Sequence, residues 1–280
     1  MNPWRGLGAL PREVWFLSLA TLINRAGTMV LPFLTLYLTV DRHFSESTAG
    51  LALTVYGIAA IIIAPLAGRL SDRFGGLLVI KLSLFLSGAI LFIFPFVTSL
   101  TGIFAICALW AIFTEAFRPP SMSIIGDLAG PSQRKSAFAL SRLAINLGMS
   151  IGPVVGGFLA MYSFQLLFYA DGATSILAGV LVAVLPWRSQ PQTDPEVNSK
   201  DSRSSSSVSP ESAPALTYSS VLKNRQFIYF LIAMLPIELV FFQSLAAMPL
   251  FLVRDLHFSE AGFGALLAIN TVLIILIKCR

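Results

Sequence analysis

Eight runs of predominantly apolar residues dominate the sequence, and each is about as long as a membrane crossing requires. A spanning helix needs about 20 apolar residues, because the hydrocarbon core of a bilayer is about 30 Å thick. Apolar runs without polar alternation satisfy their backbone hydrogen bonds as helices rather than as barrel strands. We therefore predict an all-α, polytopic membrane protein with about eight transmembrane helices. The runs are 14–40, 49–66, 77–98, 102–125, 138–161, 165–186, 227–252 and 261–277.

The charges support a lipid environment and indicate an orientation. Hydrophobic residues make up 56% of the 280 residues and charged residues only 12%, whereas a soluble domain is about 25% charged. The loops on one side hold most of the 19 lysines and arginines, and the opposite loops hold only Arg42 and Arg254. Since cytoplasmic loops retain Lys and Arg, we expect both termini to face the cytoplasm from a cell membrane. The net charge of +5 is scattered over loops and predicts no nucleic-acid partner.

A change in composition after the sixth run divides the chain. From Arg188 to Pro214, Ser, Pro and charged residues replace the aliphatic ones, and such a segment does not bury enough apolar surface to offset the entropy of ordering. The sequence thus predicts a six-helix transmembrane domain over 1–186, a cytoplasmic Ser/Pro-rich linker over 187–224 and a partial second transmembrane domain, with helices 7 and 8, over 225–280.

A short internal repeat relates the two predicted domains. Five of six residues and a following glycine recur, as DRHFSE at 41–46 with Gly50 and as DLHFSE at 255–260 with Gly264. We interpret this as a duplication. Ser45 and Ser259 stand where helix N-caps are needed, so we favour capping or solvation over proton transfer for His43 and His257.

Two glycine motifs carry the strongest functional signal. The segment from Gly68 to Gly75 (GRLSDRFG) predicts a tight cytoplasmic turn with Asp72 and Arg73 side by side. The fifth apolar run has a small residue at every fourth position, together with a proline that bends the helix. Such spacing lets a helix face approach its neighbour closely. These residues are Gly148, Gly152, Pro153, Gly156 and Gly157.

These motifs resemble two signatures of the major facilitator superfamily. The loop resembles its G-x-L-x-D-R-x-G motif, and the fifth run resembles the G-x-x-x-G-P-x-x-G-G motif of its proton-linked multidrug antiporters. Two positions depart from the family pattern: Gly76 and Leu77 follow the loop where the family has Arg or Lys, and Ala139 replaces an earlier glycine. The resemblance covers essentially the whole chain.

The resemblance implies a fold of two six-helix halves. The chain holds the first half and the first two helices of the second, and a second copy of the loop motif would fall beyond Arg280, so we expect a C-terminal truncation. The resemblance also implies that Asp72 and Arg73 form a cytoplasmic gating latch; the alternative is a capped turn with solvated charges. The helix-five motif would seal a helix interface without touching substrate.

Polar residues near the predicted membrane midplane are the candidates for a substrate and proton pathway. Ionisable groups at that depth are costly and usually face a partner or a water-filled cavity. A purely structural pair, either Arg25 with Glu115 or Glu115 with Arg118, is the alternative. Glu238 is the first choice for a protonatable carboxylate and Glu115 the second. The candidates are Asn24, Arg25, Glu115, Arg118, Asn146, Glu238 and Gln243.

Together these features predict a secondary active transporter of small molecules, of the proton-coupled efflux type. The alternative is a transport-inactive fragment or a membrane interaction protein that requires a partner, because alternating access needs two halves that move against each other. The sequence has no motif of an enzyme or of a nucleotide-driven pump, and it predicts no cofactor. Cys107 and Cys279 are too few for a disulfide framework or a metal site.

Overall fold

A computed structural model describes residues 7–187 and 225–278, and this part of the chain contains helices and no strand. The prediction of an all-α fold is therefore confirmed. The α-helices are α1 (Arg12–Ala26), α2 (Val30–Leu36), α3 (Glu46–Phe74), α4 (Gly76–Ile93), α5 (Leu100–Ala116), α6 (Arg118–Leu128), α7 (Arg134–Ala160), α8 (Phe164–Val184), α9 (Arg225–Pro249) and α10 (Glu260–Lys278). Single π-helical turns, Tyr37–Asp41 and Leu250–Asp255, continue α2 and α9.

Six helical segments of the described chain are long and apolar enough to cross a membrane, which confirms a multi-pass membrane protein. The first comprises α1 and α2, and the fourth comprises α5 and α6. The seventh and eighth predicted runs correspond to α9 and α10. The six segments are Arg12–Asp41, Glu46–Phe74, Gly76–Phe96, Leu100–Leu128, Arg134–Ala160 and Phe164–Val184.

Large apolar side chains cover much of the outer surface of these helices. Ile61 on α3 and Leu177 on α8 are 75% and 56% exposed. A soluble protein rarely exposes large contiguous apolar surface. Lipid is the solvent that suits this surface.

The structure contains two units. Of the described residues, 7–186 and 243–278 belong to one unit, and Trp187 with 225–242 belongs to the other. The predicted linker lies outside the described residues apart from Trp187, so the domain boundaries stay a prediction. Within the first unit α10 packs against α7. The rings of Phe33 on α2 and Phe263 on α10 also meet edge to face, with centroids 5.5 Å apart.

An aromatic cluster fills the core of the first unit. The Tyr37 and Phe94 rings each lie 4.7 Å from the Phe168 ring, measured between centroids. Tyr37 follows α2, Phe94 follows α4 and Phe168 belongs to α8. These ring contacts thus join three spans near the end of the bundle that carries His43.

The two copies of the repeated loop have the same backbone geometry. His43 and His257 are both left-handed, with φ of 57° and 54°. The Ser45 hydroxyl accepts a hydrogen bond from the backbone N–H of Thr48 at 3.2 Å, and the Ser259 hydroxyl accepts one from the backbone N–H of Gly262 at 3.1 Å. The predicted N-caps are therefore confirmed. Histidine is among the residues that tolerate the left-handed region better than most, which gives both histidines a structural reason to be there.

Candidate functional site

The first membrane span is broken in the middle, and a carboxylate from another span bridges the break. α1 ends at Ala26 and α2 begins at Val30. The first N–H groups of a helix lack an intrahelical acceptor, and lipid offers none. Asp171 on α8, which is 5% exposed, supplies one: its Oδ2 accepts the N–H groups of Met29 and Val30, both at 3.2 Å.

Sequence reasoning did not single out Asp171, although two signals were present. Asp171 is the only charged residue between Phe164 and Val184, and a lone carboxylate in a spanning helix requires a partner. The first apolar run also contains Gly27-Thr28, a combination that interrupts helices more often than aliphatic residues do. Neither the lone carboxylate nor the Gly27-Thr28 pair shows from the sequence that Asp171 contacts the first span.

The helical turn before the break is also held by α8. The Asn24 amide donates to the Ser175 hydroxyl at 3.2 Å, and both side chains are buried. Gly27 lies so close to Thr174 that a Cβ at position 27 would overlap the threonine hydroxyl. Asn24 is thus a buried, hydrogen-bonded residue beside the break.

A second polar cluster lies between α3 and α5. Glu115 accepts hydrogen bonds from the Tyr56 hydroxyl at 3.2 Å and from Arg118 at 3.4 Å. The Tyr56 ring packs edge to face on Trp110, with centroids 5.0 Å apart. Half-buried Arg25 lies within electrostatic range of Glu115, Arg118 and Tyr56. The structure therefore brings together three of the predicted residues and adds Tyr56, which the sequence pattern did not indicate.

Exposure differs across the Glu115–Arg118 pair. The Glu115 side chain is 18% exposed and the Arg118 side chain 66%. The carboxylate is therefore enclosed by neighbouring side chains, whereas the guanidinium lies largely outside the packing of the described helices.

An apolar cavity of about 290 Å³, shallow and open to the surface because Ile58 and Ile62 of its lining are more than half exposed, lies close to this cluster. Ile112 in its wall lies one helical turn from Glu115, on the same face of α5. The arrangement places an apolar surface next to a carboxylate. The cavity is lined by Val55, Ile58, Ala59, Ile62, Ala108 and Ile112.

The other pathway candidates are less well connected. Asn146 is half-buried on α7, and its backbone carbonyl accepts the Ser150 hydroxyl at 2.9 Å. Glu238 and Gln243 belong to α9, and their side chains lie outside the described part of the structure. Among the described residues there is no group of three or more His, Cys, Asp or Glu arranged to hold a metal ion.

One face of α7, which carries glycines, lies in close contact with the broken first span. A Cβ at Gly148 would lie 2.5 Å from the Arg25 Cβ, and one at Gly152 would lie 2.9 Å from the Thr28 carbonyl oxygen. Gly156 meets the same segment. Only glycine allows backbones to approach this closely. The segment that carries Arg25 is therefore held by α7 on one side and by α8 on another.

The second small-residue face of α7 packs on α10. A Cβ at Gly157 would lie 2.5 Å from the Glu260 carbonyl oxygen. A Cβ at Gly264 would overlap the Pro153 carbonyl. The helix-five motif thus lies at two helix interfaces.

The loop motif differs from the predicted tight turn. α3 continues through Phe74, so Gly68, Asp72 and Arg73 belong to its last two turns, and Gly75, with φ of 89°, makes the turn alone. The prediction was wrong about the extent of the turn: α3 accommodates both Pro65 and Gly68, and the chain leaves the helix only at Gly75. Asp72 and Arg73 are exposed. The proposed latch remains untested.

Comparisons with known proteins agree with this fold. The family model of the Major Facilitator Superfamily matches residues 16–278, and the chain belongs to this family. Quinolone resistance protein NorA of Staphylococcus aureus is 29% identical over 157 residues, which cover 56% of this chain and 40% of NorA. The uncharacterized MFS-type transporter YqjV of Bacillus subtilis is 27% identical over 185 residues, covering 66% and 44%.

A solved structure shows the same fold at lower identity. A bacterial homologue of the human lysosomal transporter Spinster, in an inward-facing and occupied conformation, superposes with a TM-score of 0.52 at 18% identity. The match covers 70% of this chain and 47% of the homologue. The chain thus spans less than half the length of the relatives that it matches.

Proposed function

We propose that the protein is a secondary active transporter that exports small molecules in exchange for protons. The observation that carries the proposal is the cluster of Arg25, Glu115 and Tyr56 within the membrane spans, beside the broken first span. Broken helices and buried ionisable groups near the midplane are features of substrate sites in transporters. Membership of the major facilitator superfamily supports the same class.

The substrate that suits this site is amphipathic. The apolar cavity offers room for an apolar ring system, and Glu115 one turn away offers a partner for a cationic or hydrogen-bonding group. NorA, one of the relatives, is named a quinolone resistance protein. A quinolone is therefore a reasonable first probe, and its intrinsic fluorescence makes its movement easy to follow.

Proton coupling is assigned to a carboxylate within the spans. Glu238 lies in the middle of α9, and we propose it as the first candidate and Glu115 as the second. A lone carboxyl group in lipid favours its neutral form, which allows it to bind and release a proton as the site opens to each side. With both termini in the cytoplasm, Asp72 and Arg73 would latch the cytoplasmic side.

The second candidate function is a membrane protein that transports only with a partner. The supporting observation is that alternating access requires two halves, whereas α9 and α10 are the helices that the structure describes after the first six spans. In this case the helix interface built on the α7 glycines would remain, whereas transport by the isolated chain would not.

The test is quinolone movement across vesicles that contain the purified 280-residue chain, under an imposed pH gradient. We expect gradient-driven transport by the wild type, loss of the gradient dependence in Glu238→Gln, and weaker binding in Glu115→Gln. Asp41→Asn is the matched control, because Asp41 is an exposed carboxylate at the end of the first span. Unchanged gradient dependence in Glu238→Gln would move the proton site elsewhere. No transport by the wild type would favour the partner-requiring function.

A further inference from the structure

Asp171 is a buried carboxylate that the proposed transport cycle does not use. It accepts two backbone N–H groups at the start of α2, and it lies within electrostatic range of Arg25. Its partners are main-chain groups of Met29 and Val30, and at 5% exposure it has little surface for a substrate. A role through another residue is therefore more consistent with the geometry than direct substrate contact.

Arg25 is the residue through which it would act. Arg25 lies in the last turn of α1, four residues before Met29. The break removes the helical hydrogen bonds that would otherwise fix the direction of α1 relative to α2. Asp171 replaces them with two bonds to α2. Gly148 and Gly152 of α7 contact the same segment, at Arg25 and at Thr28, so Arg25 and the break belong to one continuous packed stretch of chain.

We propose that Asp171 is a positioning residue of the transport site: by holding the break in the first span, it keeps Arg25 beside Glu115. The inference rests on the proposed function where it concerns transport, and on the geometry alone where it concerns the break. Loss of the carboxylate removes the acceptor of the Val30 N–H group and leaves the Met29 N–H group only its bond to the Gly27 carbonyl, and the segment between α1 and α2 opens more often.

Three variants separate this role from a general effect on folding. Asp171→Asn keeps the shape of the side chain and one acceptor oxygen, whereas Asp171→Ala removes both carboxylate oxygens. Ser87→Ala is the matched control, since Ser87 is a buried polar residue of α4 whose hydroxyl bonds only within its own helix, to the Leu84 carbonyl at 3.2 Å.

The first measurement needs no transport. Hydrogen exchange, followed by mass spectrometry in nanodiscs, should be about tenfold or more faster in the peptide containing Met29 and Val30 in Asp171→Ala, because exchange reports local opening. Asp171→Asn should lie between wild type and Asp171→Ala, and Ser87→Ala should match wild type. The arginine reagent phenylglyoxal should modify Arg25 at a different rate in Asp171→Ala. Unchanged exchange and unchanged Arg25 reactivity would overturn the proposal.

The second measurement is quinolone transport. Asp171→Ala should raise the KM about tenfold with little change in maximal rate per folded protein, the pattern of lost binding. Combined with Arg25→Gln it should add no further change, because two changes that act through one group are not additive. If the KM changes of the two single variants instead multiply in the double variant, Asp171 does not act through Arg25. If the wild type moves no quinolone, the proposed function fails, and the exchange and Arg25 measurements still decide the role of Asp171.

Discussion

Substitution of Gly264 by Ala tests the packing of α7 on α10 most directly. In the structure, a Cβ at position 264 would overlap the Pro153 carbonyl oxygen and would lie 2.9 Å from the Pro153 carbonyl carbon and 3.3 Å from the Val154 Cα. All three are backbone atoms, so no side chain can rotate away. The two helices must separate to admit one methyl group.

The repeat supplies a matched control for the magnitude. Gly50 is the fifth residue of α3, as Gly264 is of α10, but a Cβ at Gly50 would meet nothing within 4 Å. Both Ala variants gain ~1 kcal/mol of helix propensity, and only Gly264→Ala carries an overpacking cost of ~1–3 kcal/mol. Gly50→Ala should therefore be stabilised by up to ~1 kcal/mol, and Gly264→Ala should be ~1–3 kcal/mol less stable than Gly50→Ala.

The assay is reversible unfolding in mixed micelles with increasing dodecyl sulfate, followed by tryptophan fluorescence. The free energies of unfolding of the two variants are compared at a fixed detergent composition. Equal stability of the two variants would refute direct backbone contact between α7 and α10. A stabilised Gly264→Ala would do so more strongly.

Three further predictions concern the repeated loop and the orientation of the chain. His43→Gly should raise the free energy of unfolding by about 1 kcal/mol, because glycine adopts the left-handed backbone without strain; His43→Ala should not, and equal values in the same unfolding assay would contradict the assignment. Glu46→Arg should lower stability by up to ~1 kcal/mol, as expected for an exposed pair, and adding Arg254→Glu should restore it; an additive double variant would disprove the pairing. A reporter after Arg280 should be cytoplasmic and one inserted at His257 external, and the reverse pattern would overturn the orientation.

The membrane spans were predictable because their cause is local. Lipid imposes a minimum length of apolar residues on each helix, and the runs read from the sequence correspond to helices throughout the described chain. The ends were less certain: α3 continues to Phe74, eight residues past the end of its apolar run at Leu66. Hydropathy does not detect the polar end of a helix that extends beyond the bilayer.

The break in the first span was not predictable from that span alone. Gly27 weakens the helix there, but the break is stabilised by Asp171, which is more than 140 residues away in sequence. The Tyr56–Glu115 hydrogen bond likewise joins two spans. The Glu115–Arg118 pair is different, because its members are three residues apart on consecutive helices and the sequence already indicated it. Contacts within a helical turn can be inferred from spacing, whereas contacts between spans require the packing.

The repeated loop shows how one motif serves two different contacts. The residues that both copies share fix the backbone: the left-handed histidine and the serine cap recur with the same geometry. The positions that differ between the copies, including those of the arginines, determine which part of the structure each copy contacts. In the first copy Arg42 donates to the Val97 carbonyl at 2.6 Å, whereas in the second copy Arg254, two positions earlier in the motif, pairs with Glu46 at 2.6 Å. The arginine of the first copy thus contacts the loop between α4 and α5, whereas the arginine of the second copy contacts the first copy itself. Since Glu46 begins α3 and Arg254 precedes α10, any movement that separates these two loops must break this pair.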